Sequence, residues 1–493
     1  MSANNPADAH MPDEDFKELG ARFLDWITRY LDGVEQMPVG PNVEPGDVRA
    51  ALPVSPPETP EDLTEVFADI DQVVVPGLTH WQHPGWFAYF PCNHSYPSVL
   101  GELLCAGLGI QGMLWSTSPA CTEVESLMMD WMLEALGLPE RFRTAPIDDP
   151  RGHCTGGGVI QDTASSATLC ALIAARDRAT DGAAGRDGLA GCPPLVAYTS
   201  EHAHSSIEKA CGVAGIGRKA LRVIETDDEH RLRPDRLAEA MAADRAAGRV
   251  PFFVCSTVGT TASGAIDPTA AIAEVTREHG AWLHLDGAMY GVAAICPEHR
   301  WVIEGAEHCD SICINAHKWL FTNFDCDFFW VADRQALVHS LGIMPEYLRN
   351  QATEAGKVID YRDWQIPLGR RFRALKVWFV LRHYGLENLR NLVREHIAMT
   401  HEFADMVDAD EHLVRVSPNP LSIACIAHRD GDDATQRVME IANDTGRVRL
   451  SHAKLKDQYV IRVAIGQSRT TLKHVHDLHA ILREAAREVT TPA

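Results

Sequence analysis

The chain has no run of 18 apolar residues, so a membrane-spanning helix is not expected. Positive charge is scarce: 45 Lys and Arg stand against 68 Asp and Glu, a formal net charge of −23. That balance argues against nucleic acid or an anionic membrane as a partner and favours a soluble protein. The 13 cysteines are odd in number and include no CxxC pair. Such scatter excludes a disulfide framework and suits reduced thiols in a cytoplasm. The first residues (MSANNPADAHMPDEDF) are polar and acidic, unlike a signal peptide. No HExxH or P-loop pattern occurs. What the chain does have is length: 493 residues, 45% hydrophobic, ample for a large core and two domains.

Residues 15–34 carry Phe16, Leu19, Phe23, Leu24, Ile27, Tyr30 and Leu31 at helical spacing, which predicts an amphipathic helix. Seven prolines between 38 and 60 then forbid regular helix and predict an extended arm. In the middle of the chain, the apolar runs 195–198, 252–255, 282–285, 312–314 and 328–331 read as buried strands, some separated by helical segments such as 270–279. This alternation predicts an α/β fold with a largely parallel sheet covered by helices. Ligands in such folds sit at the carboxyl ends of the strands. A long helix near 372–383 precedes a smaller α+β unit, with strands near 421–427 and 459–465 and a last helix from about 471.

Four strand ends carry candidate chemistry. Lys318 lies in Asn315-Ala316-His317-Lys318-Trp319, just past a short strand, where a lysine can hold an aldehyde cofactor such as pyridoxal phosphate as a Schiff base. Alone it would be an ordinary surface lysine. Residues 156–168 run from glycines through hydroxyl residues into a helical pattern, so a phosphate could sit at Ala164 and Ser165. Alone that is an ordinary helix cap. Asp286 closes the very apolar strand ending Leu283-His284-Leu285, where a carboxylate could keep a pyridine nitrogen protonated. The run Ser200-Glu201-His202-Ala203-His204 offers an imidazole to lie on a cofactor ring. Its H-x-H spacing invites a metal, but no third ligand accompanies it, so no metal is expected. The joint occurrence, in this order, is far less ordinary than any one part.

The chain resembles the group II pyridoxal-phosphate-dependent decarboxylases, in their aromatic-L-amino-acid decarboxylase branch. The resemblance covers roughly residues 15–485. It rests on THWQHPGWFAYFP (79–91), SPACTEVESLMMDW (118–131), GGGVIQDTASSATL (156–169), HAHSSIEKA (202–210), NAHKWLFTNFDCDFFWV (315–331) and DYRDWQIPLGRRFRALKVWFVLRHYG (360–385). It implies a fold-type I enzyme with a mainly parallel seven-stranded sheet. The domains implied are an N-terminal arm over 1–90 that packs on a partner subunit, a large cofactor-binding domain over 91–385 and a small α+β domain over 386–493. It further implies a cytoplasmic homodimer whose active sites lie at the interface.

The resemblance also implies roles. Lys318 would carry the cofactor, with Asp286 on the ring nitrogen, Ala288 packing nearby and His204 stacked on the ring. Ala164, Ser165 and Asn315 would bind the phosphate, Thr261 would contact the cofactor and His317 would orient the lysine region. Tyr347, in the stretch 344–357, would return a proton to the substrate Cα after carbon dioxide leaves. Trp81, Tyr89, Phe90 and Pro91 match the family's aromatic substrate pocket, Cys92 beside them stands where the animal enzymes have threonine, and Gly369 matches the aromatic members. Some relatives release an aldehyde instead, typically with the loop tyrosine or stacking histidine replaced; Tyr347 and His204 are both kept here, which favours the amine.

Departures bear on the substrate. Gln111 and Met113 stand where animal relatives carry isoleucine and phenylalanine that reach across the dimer interface. A glutamine in an apolar pocket wants a hydrogen-bond partner; it could read a hydroxyl or an indole N–H, or signal a different side chain. Tyr290, in LDGAMYGVA, adds bulk near the cofactor strand. The expectation is decarboxylation of an aromatic L-amino acid. The alternatives are another amino acid or an aldehyde-forming reaction.

Overall fold

A computed structural model describes residues 10–343, 358–417 and 421–490, and the expected proton donor Tyr347 lies outside the described residues. Seven strands form the large sheet: β1 Gly157–Gln161, β2 Leu195–Ser200, β3 Leu221–Ile224, β4 Val250–Thr257, β5 Trp282–Asp286, β6 Ser311–Asn315 and β7 Asp327–Val331. Their order is β1-β7-β6-β5-β4-β2-β3. Strands β2 to β6 pair in parallel, while β7 runs antiparallel to both β6 and β1. The mainly parallel seven-stranded α/β architecture is therefore the one expected.

Both faces of this sheet are covered, which is why its strands are apolar throughout instead of alternating. Successive residues still point to opposite sides. Val254, Leu283, Ile312 and Phe328 enter one core cluster. Phe253, Trp282, Cys313 and Phe329 enter the other, under the helix Ala164–Ala179. Truncating a buried aromatic such as Phe253 to alanine costs about 3–5 kcal/mol in settings of this kind.

Each apolar run read as a strand is one, extended by one to four residues. Two strands of the large sheet escaped the sequence. β1 begins with two glycines, and β3 is only four residues long with Arg222 inside it. The long helix spans Ala374–Asp408 and is interrupted at Gly385, whose φ of 66° and ψ of 163° are not helical. A second sheet, β10-β11-β9-β8, is fully antiparallel. It comprises β8 Leu413–Arg415, β9 Ile423–His428, β10 Ser451–Leu455 and β11 Gln458–Ala464, and it packs against the last helix, Leu472–Thr490. Among the described residues, no helix is long and apolar enough to cross a membrane.

The N-terminal helix spans Asp13–Gly33, and most of its face is exposed. The helix Tyr96–Leu108 is held at its start by a Ser95–Ser98 capping box. Gly101 on its inner face lies so close to the backbone of Lys376 that a Cβ would collide at 2.7 Å. Its outer face carries Tyr96, Leu100, Leu103, Leu104 and Leu108, all between 42% and 52% exposed. An apolar stripe at helical spacing turned outward is the reverse of what a solitary globular chain needs.

Candidate active site

The carboxyl ends of the parallel strands converge on a cavity of about 180 Å³. Its lining includes Ala164, Ser165, His204, Thr261, Asp286, Ala288, Asn315, His317 and Lys318. All nine residues expected at a cofactor are thus brought together from positions spread over 155 residues of chain. Phe90, Thr163, Thr257, Gly259 and Met289 complete it.

At one end the helix Ala164–Ala179 begins. The N-cap residue Thr163 makes no side-chain capping bond, and a helix start of this kind is a place where N–H groups can receive an anion. The side chain of Asn315, the last residue of β6, accepts the Ala164 N–H at 3.3 Å and ties strand to helix. At the other end Asp286 is 4% exposed. One of its oxygens accepts the Ala288 N–H at 3.0 Å and lies 3.8 Å from the Cys313 sulfur. Its carboxylate is therefore aimed by the strand end, with the turn after β5 as a brace.

Burial pushes the Lys318 ammonium below the ordinary lysine value, while the Asp286 charge opposes that shift. A lowered lysine is the form that adds to an aldehyde. Burial likewise pushes His204 down, against the pull of Asp286. His204 Nδ1 accepts the Ser206 N–H at 3.2 Å, which leaves Nε2 to carry the proton of the neutral ring. His317 is pushed down to about 3, mainly by burial and also by Lys318. Its Nδ1 accepts the Cys326 N–H at 3.0 Å, and its own N–H donates to the Cys326 carbonyl. A neutral His317 thus fixes the turn that presents Lys318.

The expected substrate residues fare differently. Phe90 lines the cavity, with its ring centroid 4.8 Å from Lys318 Nζ. Trp81 and Tyr89 stack with Trp86 in a cluster at the surface, and Tyr89 is 60% exposed. Pro91 packs toward Gly466, and Cys92 follows it, its thiol pushed up by burial. Gln111 and Gly369 meet in a separate corner, and neither they nor Met113 belong to the cavity lining. There Gln111 Oε1 accepts the Arg370 N–H at 2.6 Å. The hydrogen-bond partner that the glutamine required is its own chain.

Tyr290 adds its bulk near the cofactor strand, as read from the sequence, but behind the cavity lining. Its ring does not face the cavity. It is fully buried, and its hydroxyl accepts the N–H groups of Ser422 and Ile423 at 3.3 and 3.0 Å. The ring packs beneath Gly259, which has φ of +85° and where a Cβ would lie 2.5 Å from Tyr290 Cγ. Its bulk therefore ties the large sheet to the start of β9.

Three groups escaped the sequence. Thr257 ends β4 and Gly259 lies two residues beyond it, and the same strand-end rule that found Asp286 would have found them. Asp327, the first residue of β7, sits in register between Gln161 and Asn315. It is fully buried, neither carboxyl oxygen has a hydrogen-bond partner, and burial pushes it well above the carboxylate range. Arg462, on β11, is 3% exposed and lies with its guanidinium 4.4 Å over the Phe90 ring. A lone charge inside an apolar strand was the available signal for both.

Residues 45–425 match the family model described as the pyridoxal-dependent decarboxylase conserved domain. The chain is 41% identical to tryptophan decarboxylase 2 of Oryza sativa subsp. japonica over 488 residues, covering 97% of this chain and 96% of that protein. It is 43% identical to phenylacetaldehyde synthase of Arabidopsis thaliana, covering 97% and 96%. A crystal structure of Oryza sativa TDC with PLP and tryptamine superposes with a TM-score of 0.94 at 38% identity, covering 99% of this chain and all of that one.

Proposed function

The chain belongs to the pyridoxal-dependent decarboxylases, and on that footing we propose that it removes the carboxylate of an aromatic L-amino acid, releasing the amine and carbon dioxide. The observation that carries this reading is the convergence of the helix start at Ala164, Asp286, His204 and Lys318 on one cavity. These groups suit pyridoxal 5′-phosphate: N–H donors for a phosphate, a carboxylate for a ring nitrogen, an imidazole for a ring face and an amine for an aldehyde. When bound, that cofactor supplies a conjugated ring that takes up the electron pair left as the Cα–carboxylate bond breaks.

The chain's own residues do the rest. Lys318 would hold the cofactor through its amine. Ala164, Ser165 and Asn315 would bind its phosphate, with Thr261 and Ala288 as further contacts. Asp286 would keep a proton at the ring nitrogen, so that the ring can accept electrons. His204 would face the ring and orient the departing carboxylate. His317 sets the direction of Lys318. Tyr347, outside the described residues, delivers a proton to the substrate Cα.

The aromatic preference is supported by the tryptophan decarboxylase relative and by Phe90 in the cavity wall. Arg462 does not line the cavity, and two of its nitrogens are already taken by backbone carbonyls, so it does not stand as a receptor for a side-chain carboxylate. A second reading, aldehyde formation, is favoured by the identity to phenylacetaldehyde synthase. Retention of Tyr347 and His204 favours the amine.

The assembly proposed is a homodimer. The outward stripe Tyr96, Leu100, Leu103, Leu104 and Leu108 needs a cover, and a second copy supplies one. That arrangement would also bring Gln111 and Met113 to the neighbouring site. All 13 cysteines are free, which suits the cytoplasm. The deciding experiment incubates the purified protein with Trp, Tyr, Phe, DOPA, His and Glu, and measures amine, carbon dioxide, aldehyde and peroxide. Amine from an aromatic substrate supports the proposal; aldehyde with peroxide selects the second reading; turnover of Glu alone refutes both.

A further inference from the structure

Arg462 is a cation buried without an anion. Its Nε donates to the Thr261 carbonyl at 2.6 Å, and Nη1 donates to the Tyr89 carbonyl. Its third nitrogen, Nη2, is buried with no partner. No carboxylate among the described residues forms an ion pair with it. The guanidinium lies 4.4 Å from the centroid of the Phe90 ring, and Lys318 Nζ lies 4.8 Å from the same centroid. The two positive groups are therefore no more than about 9 Å apart, with one aromatic ring contacting both.

The backbone that Arg462 grips is unusual as well. Tyr89 has φ of +51°, a left-handed conformation that a non-glycine residue does not adopt freely. It is held there by Arg462 on its carbonyl and by Ser451 Oγ on its N–H at 3.1 Å. Arg462 and Ser451 both belong to the small sheet, on β11 and β10, and the two residues are paired in register. Phe90 and Thr261 line the cavity.

We propose that Arg462 is a positioning residue of the active site, clasping the Tyr89–Phe90 wall and the Thr261 turn to the small sheet and keeping a fixed positive charge beside Lys318. The clasp sets where Phe90 stands, and so shapes the pocket offered to an aromatic side chain. The charge makes protonation at the Lys318 nitrogen harder. Other charged or titratable groups face that nitrogen: Asp286 from β5, Cys313 from β6, Asp327 from β7, His204 after β2, and the adjacent His317. Arg462 is the contribution from the small sheet.

The inference rests on the proposed reading that Lys318 carries the cofactor. The test uses the cofactor-loaded protein and two variants, Arg462→Gln and Arg462→Lys. The visible absorption of the bound cofactor is titrated with pH, and KM is measured for the best aromatic substrate of the panel above. Loss of a charge at this separation, in a protein interior of effective dielectric near 20, moves a neighbouring midpoint by about one pH unit. Arg462→Gln should raise the midpoint by about that much. Arg462→Lys keeps the charge and loses the two-carbonyl grip, so its midpoint should stay within about 0.3 units while KM rises at least about fivefold. A midpoint unmoved in Arg462→Gln, or moved equally in both variants, overturns the proposal. If Arg462→Gln does not fold, Arg462→Lys decides alone: KM within twofold of the unaltered protein overturns it. Absence of any visible band in the unaltered protein would fail the Lys318 reading instead.

Discussion

Replacing Tyr290 by phenylalanine separates two accounts of that residue. The ring would remain beneath Gly259, so packing is nearly unchanged. The hydroxyl would go, and with it the acceptor for the N–H groups of Ser422 and Ile423. Burial holds the phenol at about 12, so the lost group is a neutral hydroxyl and no charge is removed. Each buried N–H left without an acceptor costs about 1–3 kcal/mol, and partial relaxation brings the pair to about 2–4 kcal/mol. A chain of this length has an unfolding entropy near 1 kcal/mol per kelvin, so Tm should fall by roughly 2–4 °C. The assay is thermal unfolding by circular dichroism at saturating cofactor, with KM measured beside it. KM should change less than about twofold, because Tyr290 does not line the cavity. A Tm within 0.5 °C of the unaltered protein, together with a several-fold change in KM, would refute the tie and return Tyr290 to the pocket.

Asp286→Ala should retain cofactor yet lose turnover by at least about a hundredfold, and unchanged turnover would remove the ring-nitrogen role. His396 accepts the Trp319 indole N–H at 3.0 Å, and burial pushes it down to about 4. Its folded state therefore resists a proton that the unfolded chain accepts, so stability is lost as pH falls from 6.5 toward 4, by about 1.4 kcal/mol per pH unit. Urea unfolding between pH 7.5 and 5 should show that slope reduced by the same amount in His396→Gln; equal slopes count against it. Asp327 has the opposite sign, since a raised carboxyl costs stability once pH exceeds the ordinary carboxylate value. Asp327→Asn should accordingly be more stable than the parent at pH 7.5, with the advantage gone at pH 4, as read from the same urea curves. If the proposed dimer forms through this stripe, Leu103→Asp should leave a monomer by analytical ultracentrifugation and abolish decarboxylation, while a dimer kept in the variant would move the interface elsewhere.

The large sheet could be read from sequence because its central strands are short, apolar and bounded by turns. A parallel sheet buried on both faces leaves no other pattern. β1 was hidden because glycines at 157 and 158 remove the side chains that mark a strand. The cofactor-facing residues were legible for a related reason. Polar groups immediately after apolar strands are few, so Asp286, His204 and Lys318 stood out. The pocket wall was less legible, since Trp81, Tyr89 and Gln111 differ from ordinary aromatic and amide residues only in where the chain carries them. Arg462 and Asp327 could be seen as charges in apolar strands, but nothing local linked them to a cavity built about 130 residues or more away, or by a neighbouring strand. Tyr290 shows the limit: the sequence put its bulk near the cofactor strand, and only the packing of β9 reveals which way its hydroxyl points.

The grip of Arg462 on Tyr89 joins positions 373 residues apart. During synthesis, β5, which ends at Asp286, and β6, which precedes Lys318, can pair long before β11 exists. The wall at Phe90 must wait for it. A nascent chain would thus present the lysine and the helix start on an open floor, with the aromatic side unfinished. Contacts of such long reach form late and slowly. The last strand of the chain therefore completes the aromatic wall of a cavity whose floor is built by strands far ahead of it.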